Sequence, residues 1–210
     1  ERTQEIVVVV DTSRLTGRML DGEPLLERFL TTALVLGQVA QHQGDLFGLA
    51  TFNSKIQSFV RPGSGHAHYG VCRDALYKVE PEPVSPDYGE LFAFIRQRMR
   101  RRSLVLILTD LSDPMIAESF YEDVKLVCRH HLVLVAMMRP RGAKPLFQGA
   151  PLERTDEVYD HVGGHMRWQK LCEIQQQLHQ QGVTLQLVDE ARLTNEVVSQ
   201  YMQIKARQAL

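Results

Sequence analysis

Residues 5–15 read EIVVVVDTSRL. Ile6 and the four valines after it are apolar on both faces, as a strand buried inside a parallel sheet must be. Their β-branching suits that setting. The run ends on Asp11, Thr12 and Ser13, so a fully apolar strand delivers oxygen-bearing side chains to its tip. Leu15 then stands where a third oxygen would continue the alternation. The same grammar returns in SLVLILTD (103–110), a second apolar strand that ends on Thr109 and Asp110, while HLVLVAMM (131–138) and VTLQLVD (183–189) supply two more.

Helical periodicity fills the intervals. Pro24 opens a helix in which Leu25, Leu26, Phe29, Leu30, Ala33, Leu34 and Gly37 recur at helical spacing, and Gly44 ends it. Further helices are predicted over 66–79, 87–101, 114–129, about 156–181 and 190–208. DLFGLATF (45–52) and KIQSFVR (55–61), joined at Asn53-Ser54, form the one antiparallel hairpin the sequence predicts. Strands alternating with helices give an α/β fold, doubly wound, with a mostly parallel sheet covered by helices on both faces. The polar stretch 139–155, with Pro140, Pro145 and Pro151, resembles a linker, but the helix, strand and helix beyond it are too little for a separate core. Residues 1–210 are therefore read as one domain.

Composition removes several function classes. Lys and Arg number 24 against 25 Asp and Glu, a net charge of -1, so no broad field favours nucleic acid or an anionic membrane. The basic run RQRMRRRS (96–103) reads as the solvated end of a helix whose cations face its own carbonyls. Cys72, Cys128 and Cys172 are distant and without a CxxC pair, which suits a reducing compartment and argues against a disulfide framework or a structural zinc. No apolar run approaches the ~18 residues of a membrane span. The chain starts on Glu1, almost directly on a strand, as a fragment of a longer protein would.

In an open α/β sheet, ligands bind outside the carboxyl ends of the strands where the winding reverses. If the strands carrying Asp11 and Asp110 are neighbours, two carboxylates and several hydroxyls meet there, a hard-oxygen set suited to Mg2+. A dinucleotide fold would need a glycine-rich turn that DTSRLTGR lacks, and no P-loop is present. An aspartyl-phosphate enzyme would use Asp11 as nucleophile, but Ser13 occupies the place of its second acid. His161 and His165 have helical spacing for a metal but no third ligand, and Ser54 and Ser112 lack a triad's partners. Trp168, with Leu171 and Ile174 at helical spacing, reads as core, and His130-His131 as a turn and one packed ring. Asp87, with Glu90 three residues on, fits a helix-capping box, and Asp113 before Pro114 an N-cap. Asp11 itself could accept hydrogen bonds from its own turn.

The strand ending in DxS, the hairpin GDLFGLATFNSKIQSFVRP, the segment RRSLVLILTDLSDP and the closing QGVTLQLVD and LTNEVVSQYMQIKARQAL together resemble a von Willebrand factor A-type domain. More narrowly they resemble the bacterial family called domain of unknown function 58. The resemblance implies a six-stranded sheet with one antiparallel edge strand and a metal-ion-dependent adhesion site at its C-terminal edge. By position, Asp11, Ser13 and Asp110 match metal ligands of that site. Leu15 replaces another, and the loop threonine falls on or near Asp87. The implied cofactor is Mg2+, held weakly or not at all.

The resemblance further implies a non-enzymatic adaptor working with a MoxR-type AAA+ ATPase. It would be cytoplasmic, with a tether to the inner membrane through a preceding N-terminal region. Loops 12–23, 53–54, 80–87 and 111–114 would form the partner surface, with Arg14, Arg18, Thr109 and Ser112 as its candidate contacts. The rival is a Mg-dependent phosphoryl-transfer or hydrolytic enzyme using Asp11 and Asp110.

Overall fold

The structure, a computed structural model, describes residues 3–146 and 155–207. In chain order its elements are β1 (Glu5–Asp11), β2 (Met19–Leu20), β3 (Glu23–Pro24), α1 (Leu25–His42), β4 (Leu46–Phe52), β5 (Ile56–Gly63), α2 (His66–Leu76), α3 (Tyr88–Arg98), β6 (Leu104–Leu108), α4 (Pro114–Val124), β7 (Leu132–Met138), α5 (Thr155–Gln180), β8 (Val183–Val188) and α6 (Leu193–Ala206). A 3-10 turn, Glu190–Arg192, precedes α6. Pro151 and Gln208, the last residue of the expected closing helix, lie outside the described residues.

Six strands form one sheet in the order β5-β4-β1-β6-β7-β8, parallel except for the antiparallel edge strand β5. β1 lies at the centre, and its two faces divide the core. Ile6, Val8 and Val10 pack with α1, α2 and α6, whereas Val7 and Val9 pack with α3, α4 and α5. A strand this enclosed has no side on which water could tolerate a polar residue, which accounts for the unbroken valines.

The edges are treated differently. β5 is mostly half-exposed and carries Pro62, which blocks further strand pairing on the open side. Gly48 in β4 lies against it: a Cβ there would come within 2.9 Å of the Pro62 nitrogen.

One short antiparallel pair escaped the sequence reading. β2 and β3 form a hairpin around Asp21-Gly22, where φ is 47° and 92°. Two left-handed residues in succession make the tight turn that Asp-Gly supplies. The hairpin was hidden because it is only two residues deep on each side, too short for an alternation pattern.

At the N-terminal end of the sheet a buried acid ties the last helix to the first strands. Asp45, 1% exposed, accepts from the Gln4 backbone N–H at 3.0 Å, from the Tyr201 hydroxyl and from Lys205 Nζ at 2.9 Å. Lys205 Nζ also donates to the Gln43 carbonyl at 2.8 Å. Asp45→Ala strands the lysine charge in a site where it is 9% exposed. The expected cost is about 3–5 kcal/mol in urea unfolding, and the double variant Asp45→Asn/Lys205→Met recovers most of it.

Candidate functional site

β1 and β6 are direct neighbours in register, Val10 opposite Leu108, so the residues that follow them converge. This is also where the winding reverses, since the chain leaves β1 towards β4 on one side and reaches β6 on the other. The carboxylate of Asp11 is fully buried. Its Oδ1 accepts from the Ser13 backbone N–H at 2.8 Å, and its Oδ2 accepts from the Thr109 hydroxyl at 2.6 Å. The Tyr88 hydroxyl lies 2.8 Å from the same Thr109 oxygen. Thr109 has one proton and gives it to Asp11, so Tyr88 must be the donor to Thr109. The result is a directed chain, Tyr88 to Thr109 to Asp11.

Burial pushes the Asp11 carboxyl above its usual pKa. The Thr109 hydroxyl and then the Ser13 donors oppose this, and the negative charge of Asp110 adds to it. Tyr88 is held well above the usual tyrosine range, first by burial and then by the charge of Asp11, and remains a neutral donor.

The loop after β1 closes on itself. Ser13 Oγ accepts from the Leu15 backbone N–H at 3.3 Å, and the Thr16 hydroxyl donates to the Ser13 carbonyl at 3.0 Å. Leu15 is half-buried, while Thr16, which the sequence reading passed over, is fully buried. The connector 80–87 lies across this loop, held by Arg14 N–H to the Val84 carbonyl at 2.9 Å and Glu82 N–H to the Thr12 carbonyl at 2.8 Å.

Asp87 does not join the site. It is exposed and caps α3, accepting from the Glu90 backbone N–H at 2.9 Å. Its charge instead faces Asp123, whose carboxyl is raised first by burial and then by Asp87. The loop oxygen that reaches the strand tips belongs to the next residue, Tyr88. No sequence signal distinguished it, because a tyrosine opening a helix reads as ordinary core.

Asp110 is 7% exposed. Its Oδ1 accepts from the Ser112 backbone N–H at 2.9 Å and from the Ser112 hydroxyl, and its Oδ2 lies 3.3 Å from Arg18 Nη1. Arg18 therefore turns back onto the strand tips, whereas Arg14 is exposed and donates from Nε to Ser85 Oγ at 3.2 Å. Thr109, expected among the partner contacts, is fully buried in the Asp11 chain and cannot touch a partner. Two methionines mark the rim: Met19, beside Arg18, is 61% exposed, and Met115, in the first turn of α4, is 80% exposed. Sequence periodicity gave no reason to single out either.

The remaining candidates have packing roles. His165 accepts at Nδ1 from the Leu146 backbone N–H and stacks on Trp168, which is half-buried against the core. His131 is packed and His130 exposed. Among the described residues no helix is long and apolar enough to cross a membrane.

Solved structures, one of them described as a VWA domain, share this architecture. A conserved hypothetical protein, BatB, from Bacteroides thetaiotaomicron superposes with a TM-score of 0.59 at 13% identity, covering 97% of this chain and 99% of that one. The SpRpn10 VWA domain gives 0.55 at 10% identity, with 95% of each chain covered. An aerotolerance-related membrane protein from Bacteroides fragilis gives 0.54 at 13% identity, covering 94% and 97%. At such identities the likeness establishes the fold alone. No curated protein matches the sequence. The family model described as "Protein of unknown function DUF58" matches residues 1–150, and the chain belongs to that family.

Proposed function

We propose that this protein is a non-enzymatic interaction domain that docks a protein partner on the C-terminal edge of its sheet, without a tightly bound metal. The observation that carries it is the makeup of that edge. Met19 and Met115 stand exposed near the Arg18–Asp110 charge pair. Polarizable, flexible methionines around a fixed polar centre suit protein recognition. A catalytic site would need a reactive group open to substrate, and Asp11 is closed off from solvent with both oxygens engaged. That arrangement also disfavours the phosphoryl-transfer alternative, in which Asp11 must reach a phosphorus atom.

The adhesion-type metal site is taken to be degenerate. Mg2+ demands near-octahedral oxygen ligands and gives up its waters reluctantly. Here Leu15 offers no oxygen, Asp87 caps a helix, Ser13 Oγ already accepts from the Leu15 N–H, and Asp110 holds a guanidinium. The donors present do not fit a resident ion. For the partner we take a MoxR-type AAA+ ATPase, on family resemblance. Attachment to the inner membrane through a preceding segment is included on likeness to the aerotolerance-related membrane protein.

Co-elution with a purified MoxR-type ATPase tests the docking. Met19→Asp and Met115→Asp are each expected to weaken capture by tenfold or more, whereas Arg101→Glu, at the other end of the sheet, leaves it unchanged. Equal capture by all three variants refutes the edge as the docking surface. Phosphoester turnover with Mg2+ that disappears in Asp11→Asn would instead establish the enzyme.

Asp11 also predicts a pH signature. Folding raises its pKa above the ordinary 3.8, so stability is highest below that value and declines as pH rises through it towards the folded pKa. The decline amounts to about 1.4 kcal/mol for each pH unit by which folding raises the pKa. Asparagine escapes the decline, and Thr109 and Tyr88 can reverse their hydrogen-bond direction to accommodate its amide. Urea unfolding should therefore find Asp11→Asn gaining on the wild type between about pH 3.5 and pH 7. A constant difference across that range contradicts the account.

A further inference from the structure

We propose that Arg18 is a tethered cation standing in for a metal ion: pinned on Asp110, it presents its open side to an adjoining cleft and binds a partner's carboxylate there. This role rests on the docking function proposed above and supplies its chemistry.

Arg18 is held from several directions. Its own carbonyl accepts from the Leu25 backbone N–H at 2.8 Å, and the Leu26 N–H reaches the Thr16 carbonyl at 3.0 Å. The Asp21-Gly22 hairpin follows immediately, with Leu20 buried beneath it. The side chain thus starts from a fixed backbone and reaches Asp110 with little freedom to lose. An ion from solution must compete with a charge already present at an effective concentration in the mM range. A direct Mg2+–carboxylate bond would also have to displace that charge and shed water.

The pair is asymmetric in exposure. The Asp110 side chain is 9% exposed and that of Arg18 is 38%. Arg18 lines a cleft of about 390 Å³ that runs between the β2–β3 hairpin and the segments following β7 and β8. Most charges along that cleft are spoken for. Arg139 pairs with Asp189 at 3.6 Å, and Arg141 pairs with Asp21 and with Glu190. Lys144 has no acidic partner among the described residues. Arg18 itself carries five N–H donors. Nη1 lies against Asp110, and Nε, which has no hydrogen-bond partner, is itself buried, so it is the exposed remainder of the side chain that faces the cleft. A guanidinium with donors to spare, in the same cleft as a lysine that has no acidic partner among the described residues, is a site short of an acceptor. A carboxylate supplies two oxygens in the planar spacing that a guanidinium matches. In adhesion-type domains a metal would hold such an acid; here the arginine fork would do so alone.

Two measurements on the whole chain test the assignment. Calorimetric titration with Mn2+ should show at least tenfold tighter binding to Arg18→Gln than to wild type. The gain should vanish in Arg18→Gln/Asp110→Asn, and Arg18→Lys, which keeps the charge, should stay as weak as wild type. Wild type binding Mn2+ as tightly as Arg18→Gln overturns the stand-in role.

The second measurement, in EDTA, follows the Arg18 Nε–H resonance during titration with N-acetyl-aspartate N-methylamide or its asparagine counterpart. A saturable shift with the acid only is the expected result. No shift, or equal shifts with both, overturns carboxylate binding. These outcomes separate from the docking test. Capture of the partner undiminished in Arg18→Gln removes Arg18 from recognition while leaving the edge as the docking surface. Absence of capture by any form strikes the docking function and leaves the Mn2+ result standing.

Discussion

A carboxylate with no contact with water is the constraint around which this end of the molecule is built. Asp11 sits at the tip of a strand apolar on both faces, and an ionised acid there is tolerated only if donors surround it. Those donors come from different parts of the chain: the Ser13 N–H from the loop after β1, the Thr109 hydroxyl from the end of β6, and the Tyr88 hydroxyl behind it from α3. Satisfying one oxygen pair thereby fixes the β1 loop, the β6 tip and the start of α3 relative to each other.

That constraint separates what the sequence could reveal from what it could not. Buried parallel strands announce themselves by unbroken apolar runs, so β1, β6 and β7 were legible, whereas the pairing of β1 with β6 that brings Asp11 and Asp110 to one edge was only a condition of the sequence reading. The β4–β5 hairpin was equally plain at Asn53-Ser54. Site roles were harder. The reading of Asp87 as a ligand and as a helix cap competed on equal residues, and the cap prevailed because the Glu90 N–H had no other partner in its turn. Tyr88 was invisible as a site residue, since only the meeting of α3 with the β6 tip gives its hydroxyl a function. Arg18 was marked as a rim cation, but its turn back onto Asp110 depends on a hairpin too short to have a pattern.

The family resemblance and the residues pull in different directions at one point. The fold supplies the strand tips that adhesion-type domains use to hold a metal, and two carboxylates do converge there. Yet each carboxylate is engaged by the protein's own donors, one by hydroxyls and amides, the other by a serine and an arginine. Such internal satisfaction lowers what an arriving ion can gain, because every new bond replaces an existing one.

A comparison across the sheet sets the proposed docking end against the opposite one. The opposite end also holds a cation on a carboxylate, Lys205 on Asp45, with side chains 9% and 0% exposed. That pair is sealed, its lysine shared with the Gln43 carbonyl and its acid with Tyr201 and Gln4, and it closes the last helix onto the core. Arg18 and Asp110 use the same elementary attraction but leave 38% of the arginine in the open, beside a cleft and two bare methionines. Screening by water makes such a pair weaker than the sealed one, as it does the still more exposed Arg141–Asp21 and Arg73–Asp74 pairs. In the proposed docking role, the open side of Arg18 is the part of the interaction left for a partner to complete.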